Sequence, residues 1–256
     1  MVGEISTSLG YLLPFILIGF FAQAVDGALG MAFGVIVNII LVGFLGMHPA
    51  TASTQVHIVK CFTTAASGAS HFYLGNVDKQ LFFQLLIPGT IGGIAGAFLL
   101  SYVAGEIIAP LVLVYLSAIG LWILFRGIKS SPKVRKPRFV GTIGATGGFL
   151  DSVGGGGWGP VATSNLLVQD AEPRKVVGTV NAAEFFLTIL ISAAFILNLG
   201  IGDILGPTIG LMIGGVIAAP FGALVAKHLP RRTMFILVGI VLTLTSIIAI
   251  YTAVGD

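Results

Sequence analysis

The sequence predicts an all-α, multi-pass membrane protein made of two repeats of inverted topology, each a glycine-broken short-helix hairpin followed by three transmembrane helices. Three observations lead there. Of 256 residues, 56% are hydrophobic and 9% charged, where a soluble domain carries about 25% charged residues. Apolar runs of membrane-spanning length follow one another with little but short connections between them, as expected of helices whose backbone must satisfy itself in lipid. Two of those runs are interrupted in the same way, by an acid followed by glycines. The first interruption is Asp26-Gly27-Ala28-Leu29-Gly30 and the second Asp151-Ser152-Val153-Gly154-Gly155-Gly156-Gly157.

The two interruptions are 125 residues apart, and the same offset pairs other positions. Gly19 matches Gly144, Gly30 matches Gly155, Gly34 matches Gly159, Thr54 matches Thr179, Asp78 matches Asp203, and Phe33 meets Trp158. Glycines match easily in a chain with 36 of them, but two aspartates and a threonine at one offset in an acid-poor chain point to an internal repeat. The predicted division is a first repeat over 1–128, a cytoplasmic basic linker over 129–138 and a second repeat over 139–256.

In chain order, residues 11–46 would span roughly 54 Å as one helix, against a hydrocarbon core of about 30 Å. They read better as two half-helices meeting at Asp26 to Gly30, either a re-entrant hairpin or two short crossings. The segment has no basic n-region and runs far past a usual cleavage point, so it reads as structure rather than a signal peptide. Spans follow at 50–71, 79–100 and 104–126. The polar stretch with Arg126, Lys129, Lys133, Arg135, Lys136 and Arg138, broken by Pro132 and Pro137, separates the halves. The second half repeats the order: a run at 139–168 broken at 151–157, then spans at 174–198, 202–226 and 232–253. Pro88 and Pro220 bend their spans.

An odd number of crossings per half makes the halves inverted. With the basic loop inside, Lys79, Arg174, Lys175, Lys227, Arg231 and Arg232 also fall inside, and both termini outside. Eight conventional spans in two parallel sets of four would place some of these outside. The basic balance, with a pI near 9.1, therefore reads as membrane orientation and not as nucleic-acid binding. Cys61 is the single cysteine, so an intramolecular disulfide is excluded.

Chemistry concentrates where the apolar runs are interrupted. An ionisable group in hydrocarbon is costly and marks a transport site by default. Asp26 and Asp151 are the proton-coupling candidates, because desolvation disfavours a charged carboxylate; equally, each could cap the half-helix that follows. Gly27, Gly30, Gly155 and Gly156 read either as exposed backbone donors or as small residues for tight helix packing. Half-helix N-termini at Met31 and Trp158 would turn positive dipole ends toward an anion. Thr54, Thr179 and Asn181 are candidate side-chain donors, though a threonine can also bond back to its own helix.

Lys60 lies mid-span, as a direct anion contact or as the partner of Glu184 in an ion pair, and His57 is one turn away and could share either role. His48 precedes an expected helix start, and His71 and His228 are expected near membrane edges. Asp78 and Asp203 read as helix caps, Glu106 and Glu172 as interfacial. No metal spacing, catalytic triad or cofactor motif is present, so neither an enzyme nor a cofactor is expected.

The stretches Gly19-Phe20-Phe21-Ala22-Gln23-Ala24-Val25-Asp26-Gly27 and Gly148-Phe149-Leu150-Asp151-Ser152-Val153-Gly154-Gly155-Gly156-Gly157-Trp158-Gly159-Pro160 resemble the TauE/SafE, or sulfite exporter, family of membrane permeases. Ala50-Thr51-Ala52-Ser53-Thr54 and Gly178-Thr179-Val180-Asn181 fit the spans that follow. The resemblance covers nearly the whole chain, and implies a plasma-membrane transporter of small, often sulfur-containing anions such as sulfite, thiosulfate and organosulfonates.

The expectation is a proton-coupled secondary transporter of such an anion, working by alternating access, with one half rocking against the other. Its partners would be the anion, protons and the lipid bilayer, with a homo-oligomer allowed. The substrate would contact Gly27, Gly30, Thr54, Lys60, Gly155, Gly156, Trp158, Thr179 and Asn181. Two alternatives stay open. Asp26 and Asp151 could serve a cation or metal-ion transporter, or the chain could be a non-transporting membrane assembly subunit.

Overall fold

The computed structural model of the chain describes residues 2–47, 49–100, 108–129, 134–154, 156–199 and 206–254. Among these the chain is all helix. The order is α1 (Val2–Leu29), α2 (Phe33–Asn38) running into a π-helical turn at Ile39–Phe44, α3 (Pro49–Tyr73), α4 (Lys79–Leu100), α5 (Ile108–Lys129), α6 (Val140–Gly154), α7 (Trp158–Val168), α8 (Pro173–Leu199), α9 (Gly206–His228) and α10 (Arg231–Val254). Five of them, α1, α4, α8, α9 and α10, are long and apolar enough to cross a membrane. The protein is a multi-pass, all-α membrane protein.

The two broken segments differ in length. In the second, α6 and α7 have 15 and 11 residues, about 22 and 16 Å at 1.5 Å per residue. In the first, α1 has 28 residues, about 42 Å, because the helix begins at Val2 and not near residue 11. The first break is also later than expected, with the next helix starting at Phe33 and not at Met31. The predicted sites Gly155, His48, Glu106 and Asp203 lie outside the described residues.

The helices pair by removing side chains from their seams. α1 lies along α9, α4 along α6, α5 along α10 and α3 along α8. At the α1–α9 seam a Cβ on Gly214 would fall 1.9 Å from the Ile16 carbonyl oxygen, and one on Gly19 2.2 Å from that of Leu211. At the α4–α6 seam a Cβ on Gly92 would fall 2.0 Å from the Ala145 carbonyl oxygen, and one on Gly148 2.0 Å from that of Gly89. Backbone-to-backbone packing of this kind stands in for the hydrophobic drive that lipid does not provide.

Polarity is distributed the opposite way to that of a soluble protein. Large apolar side chains such as Phe21, Ile91, Leu197 and Tyr251 are exposed, while α3 buries Ser53, Thr54, Gln55, His57, Lys60, Thr63, Thr64, Ser67 and His71. That face of α3 meets α8, which buries Thr179, Asn181, Glu184 and Thr188. The interior polar seam between α3 and α8, flanked by the two helix breaks, contains the candidate site.

Candidate functional site

Each break is organised by its aspartate. Gly30, with φ +72°, ends α1 and returns its N–H to the Asp26 carbonyl at 2.6 Å. This is the left-handed helix end that glycine adopts without a Cβ penalty. Ala32 follows at φ 95°, a conformation costing a non-glycine residue of order 1–3 kcal/mol. The Asp26 carboxylate then accepts the Phe33 N–H at 3.2 Å. Asp151 does the same in the second break, accepting the Trp158 N–H at 3.0 Å. Each positive helix end is therefore already met by the protein's own carboxylate.

The breaks also touch each other. A Cβ on Gly156 would fall 2.8 Å from the Gly34 carbonyl carbon, and one on Gly159 2.7 Å from the Gly30 carbonyl oxygen. The Thr163 hydroxyl donates to that same Gly30 oxygen at 2.8 Å.

Beside this contact lies a buried charge cluster. Lys60 Nζ donates to Asp151 Oδ1 at 3.0 Å and Oδ2 at 3.2 Å, and lies 2.7 Å from Glu184 Oε1. Lys60 is 1% exposed and Asp151 0%, so the pairing is what makes burial of these charges tolerable. Asp26 is within electrostatic reach of both Lys60 and Asp151. Three carboxyl groups thus share this part of the core with one ammonium.

His57 completes the surroundings of Asp151. Its Nδ1–H donates to the Ser53 carbonyl at 2.8 Å, and its Nε2 faces Asp151 Oδ2 at 3.4 Å. With its Nδ1 proton spent on Ser53, a neutral His57 turns an Nε2 lone pair toward that carboxyl oxygen.

The sequence-expected residues divide into groups. Asp151, Lys60, Glu184, His57 and the Trp158 N–H meet in one cluster. Gly27 packs against α9, where a Cβ would lie 3.1 Å from the Gly222 Cα. Gly30 and Gly156 line the contact between the breaks. Trp158 is an anchor: fully buried, its indole Nε1–H donates to the Val180 carbonyl at 3.1 Å.

Asn181 is held at both ends of its amide. Its Nδ2 donates to the Val177 and Asp26 carbonyls at 3.0 and 3.4 Å, and its Oδ1 accepts from Ser67 at 2.8 Å. The Thr179 hydroxyl accepts the Asp78 N–H at 2.8 Å at the start of α4, while Asp78 Oδ1 caps that helix through Gln80 and Leu81. Thr54 is buried in α3, two turns before Lys60.

His71 stands in the last turn of α3 and is fully buried. Its Nε2–H donates to the Gly27 carbonyl at 2.8 Å, and its Nδ1 accepts from Asn76 at 3.0 Å. Of the other interfacial acids, Glu172 pairs with Arg231.

Comparison with known proteins gives the family. The pattern of the sulfite exporter TauE/SafE family matches residues 15–249, which takes in both breaks and the charge cluster. The chain belongs to this family of membrane transporters, which are not enzymes. The probable membrane transporter protein YtnM of Bacillus subtilis (strain 168) is 42% identical over 239 residues, covering 89% of this chain and 79% of that protein. No solved structure matches.

Proposed function

We propose that the protein carries a small sulfur-containing oxyanion, such as sulfite, thiosulfate or an organosulfonate, in a proton-coupled alternating-access cycle. The observation that carries this reading is the environment of Asp151. Its carboxylate takes two contacts from Lys60 and one from the Trp158 N–H at the start of α7, and faces His57. That donor set suits any oxyanion. Protonation of Asp151 removes the internal anion's claim on it, and a substrate oxyanion can then take the same donors. Anion entry without proton uptake would bring a second negative charge against the Asp151 carboxylate, which is unfavourable at low dielectric. Asp26, at the equivalent place in the first break, is the second proton carrier. Lys60, Gly156 and the Trp158 N–H are the substrate contacts nearest this exchange.

Two repeats, over 1–128 and 139–256 with a cytoplasmic basic linker at 129–138, fit this cycle. Under the 125-residue offset the α1–α9 pair maps onto α6–α4, while α3–α8 and α5–α10 map onto themselves. Such exchange is expected of inverted halves. The cation reading is weaker, since Lys60 already fills the position between Asp151 and Glu184 that a cation would need.

The test is flux of sulfite and of thiosulfate into proteoliposomes, with and without an imposed pH gradient. Flux that follows the gradient supports the reading. Folded protein that moves neither anion overturns the sulfur assignment, and gradient-independent flux overturns the coupling.

A further inference from the structure

Gln23 and Thr63 are both 0% exposed, and neither the Gln23 amide oxygen and nitrogen nor the Thr63 hydroxyl has a hydrogen-bond partner among the described residues. Gln23 is on α1, one turn before Asp26; Thr63 is on α3, one turn after Lys60. Both flank Gly215 of α9, where a Cβ would fall 2.4 Å from Thr63 Cγ2 and 3.6 Å from Gln23 Cβ. The two side chains thus border the same point of α9, one helical turn from Asp26 on α1 and from Lys60 on α3.

Leaving such groups unpaired in a buried site is costly, whereas an apolar residue of the same shape carries no such cost. Leucine would satisfy packing here. A polar function explains why glutamine stands instead. The arrangement is also one-sided: the offset pairs Thr63 with Thr188, likewise buried and unpartnered, but pairs Gln23 with Gly148.

We propose that Gln23 and Thr63 form a second contact point for the transported oxyanion, on the α1–α3–α9 side of the charge cluster. This rests on the anion-transport reading above. The chemistry of the pair narrows the substrate. The glutamine amide and the hydroxyl supply donors for anionic oxygens, while the glutamine carbonyl only accepts. An oxyanion that carries a proton, such as hydrogensulfite, satisfies both; a fully deprotonated one such as sulfate leaves the carbonyl facing an anionic oxygen.

The experiment measures sulfite flux in proteoliposomes for the wild type, Gln23→Leu and Thr63→Val, together with thermal unfolding of each in detergent and inhibition by sulfate. The expected result is a rise in KM of about tenfold for Gln23→Leu with little change in kcat, a smaller rise for Thr63→Val, and melting temperatures equal to or above the wild type. Sulfate should inhibit the wild type weakly and Gln23→Leu relatively better. An unchanged KM in both variants, beside active wild type, overturns the contact point and leaves the groups as a structural polar patch. Absence of sulfite and thiosulfate flux in folded wild type overturns the sulfur assignment on which this proposal rests, and this proposal with it. If Gln23→Leu fails to fold, the KM of Thr63→Val decides.

Discussion

Asp26 and Asp151 make the same contact at the same spacing: each accepts the backbone N–H of the residue seven positions on, Phe33 at 3.2 Å and Trp158 at 3.0 Å. They differ in what else they hold. Asp151 also binds Lys60 and faces His57, whereas Asp26 has no such ion pair at contact distance among the described residues. One carboxylate is a cap alone, and the other is a cap joined to the charge cluster.

This separates two substitutions. Asparagine keeps an oxygen that accepts the N–H, so Asp26→Asn and Asp151→Asn both retain the helix cap but lose the titratable proton. The double variant is expected to move sulfite without response to an imposed pH gradient. Asp151→Asn alone is expected to lower the melting temperature more than Asp26→Asn, because it also strips charge from Lys60. Flux measurements beside thermal unfolding of both single variants would check the order.

Lys60→Met leaves Asp151 and Glu184 buried without their cation, and removal of one partner from a buried pair costs about 3–5 kcal/mol. Adding Glu184→Gln to the same chain is expected to return part of that loss, with a coupling energy of about 0.5–3 kcal/mol. Denaturant or thermal unfolding of the four chains in the cycle gives the number, and additive effects would mean that the two side chains do not act together.

Gly30→Ala is expected to destabilise by about 1–3 kcal/mol. The added Cβ would sit at φ +72° and 2.8 Å from the Thr163 hydroxyl. Gly10→Ala is the control. Nothing lies within 4 Å of a Cβ there, and alanine inside a helix gains roughly 0.5–1 kcal/mol over glycine. The folded yield and melting temperature of the two variants should move in opposite directions.

Asn181→Ala removes the amide that ties Ser67 of α3 to the end of α1. A loss of about 1–3 kcal/mol in unfolding free energy is expected, with the KM for sulfite within twofold of wild type. A large KM change without loss of stability would instead make Asn181 a direct substrate contact.

Much of this site is legible in the amino-acid sequence. A mid-span lysine and a mid-span glutamate in hydrocarbon must find partners, so Lys60 and Glu184 point to each other. The repeated acid–glycine breaks mark Asp26 and Asp151. What local sequence does not carry is the way separate helices approach. The addition of Asp151 to the Lys60 pair depends on how α6 meets α3, and no residue near either position announces it. A glycine likewise does not say whether it serves a ligand or a neighbouring backbone: Gly27 serves Gly222. Ala32 adopts a left-handed conformation that nothing about alanine suggests. Counting residues along the span puts His71 near its end, but not against the Gly27 carbonyl of the first break.

The seam between α1 and α9 has a bearing on biogenesis. Some 176 residues separate the end of α1 at Leu29 from the start of α9 at Gly206, about 10–40 s of ribosomal synthesis. During that interval the first helix is in or near the bilayer with its glycine-lined groove uncovered and Asp26 not yet enclosed. Truncation of the chain before α9 should therefore leave α1 the most exposed to degradation of all the helices already made.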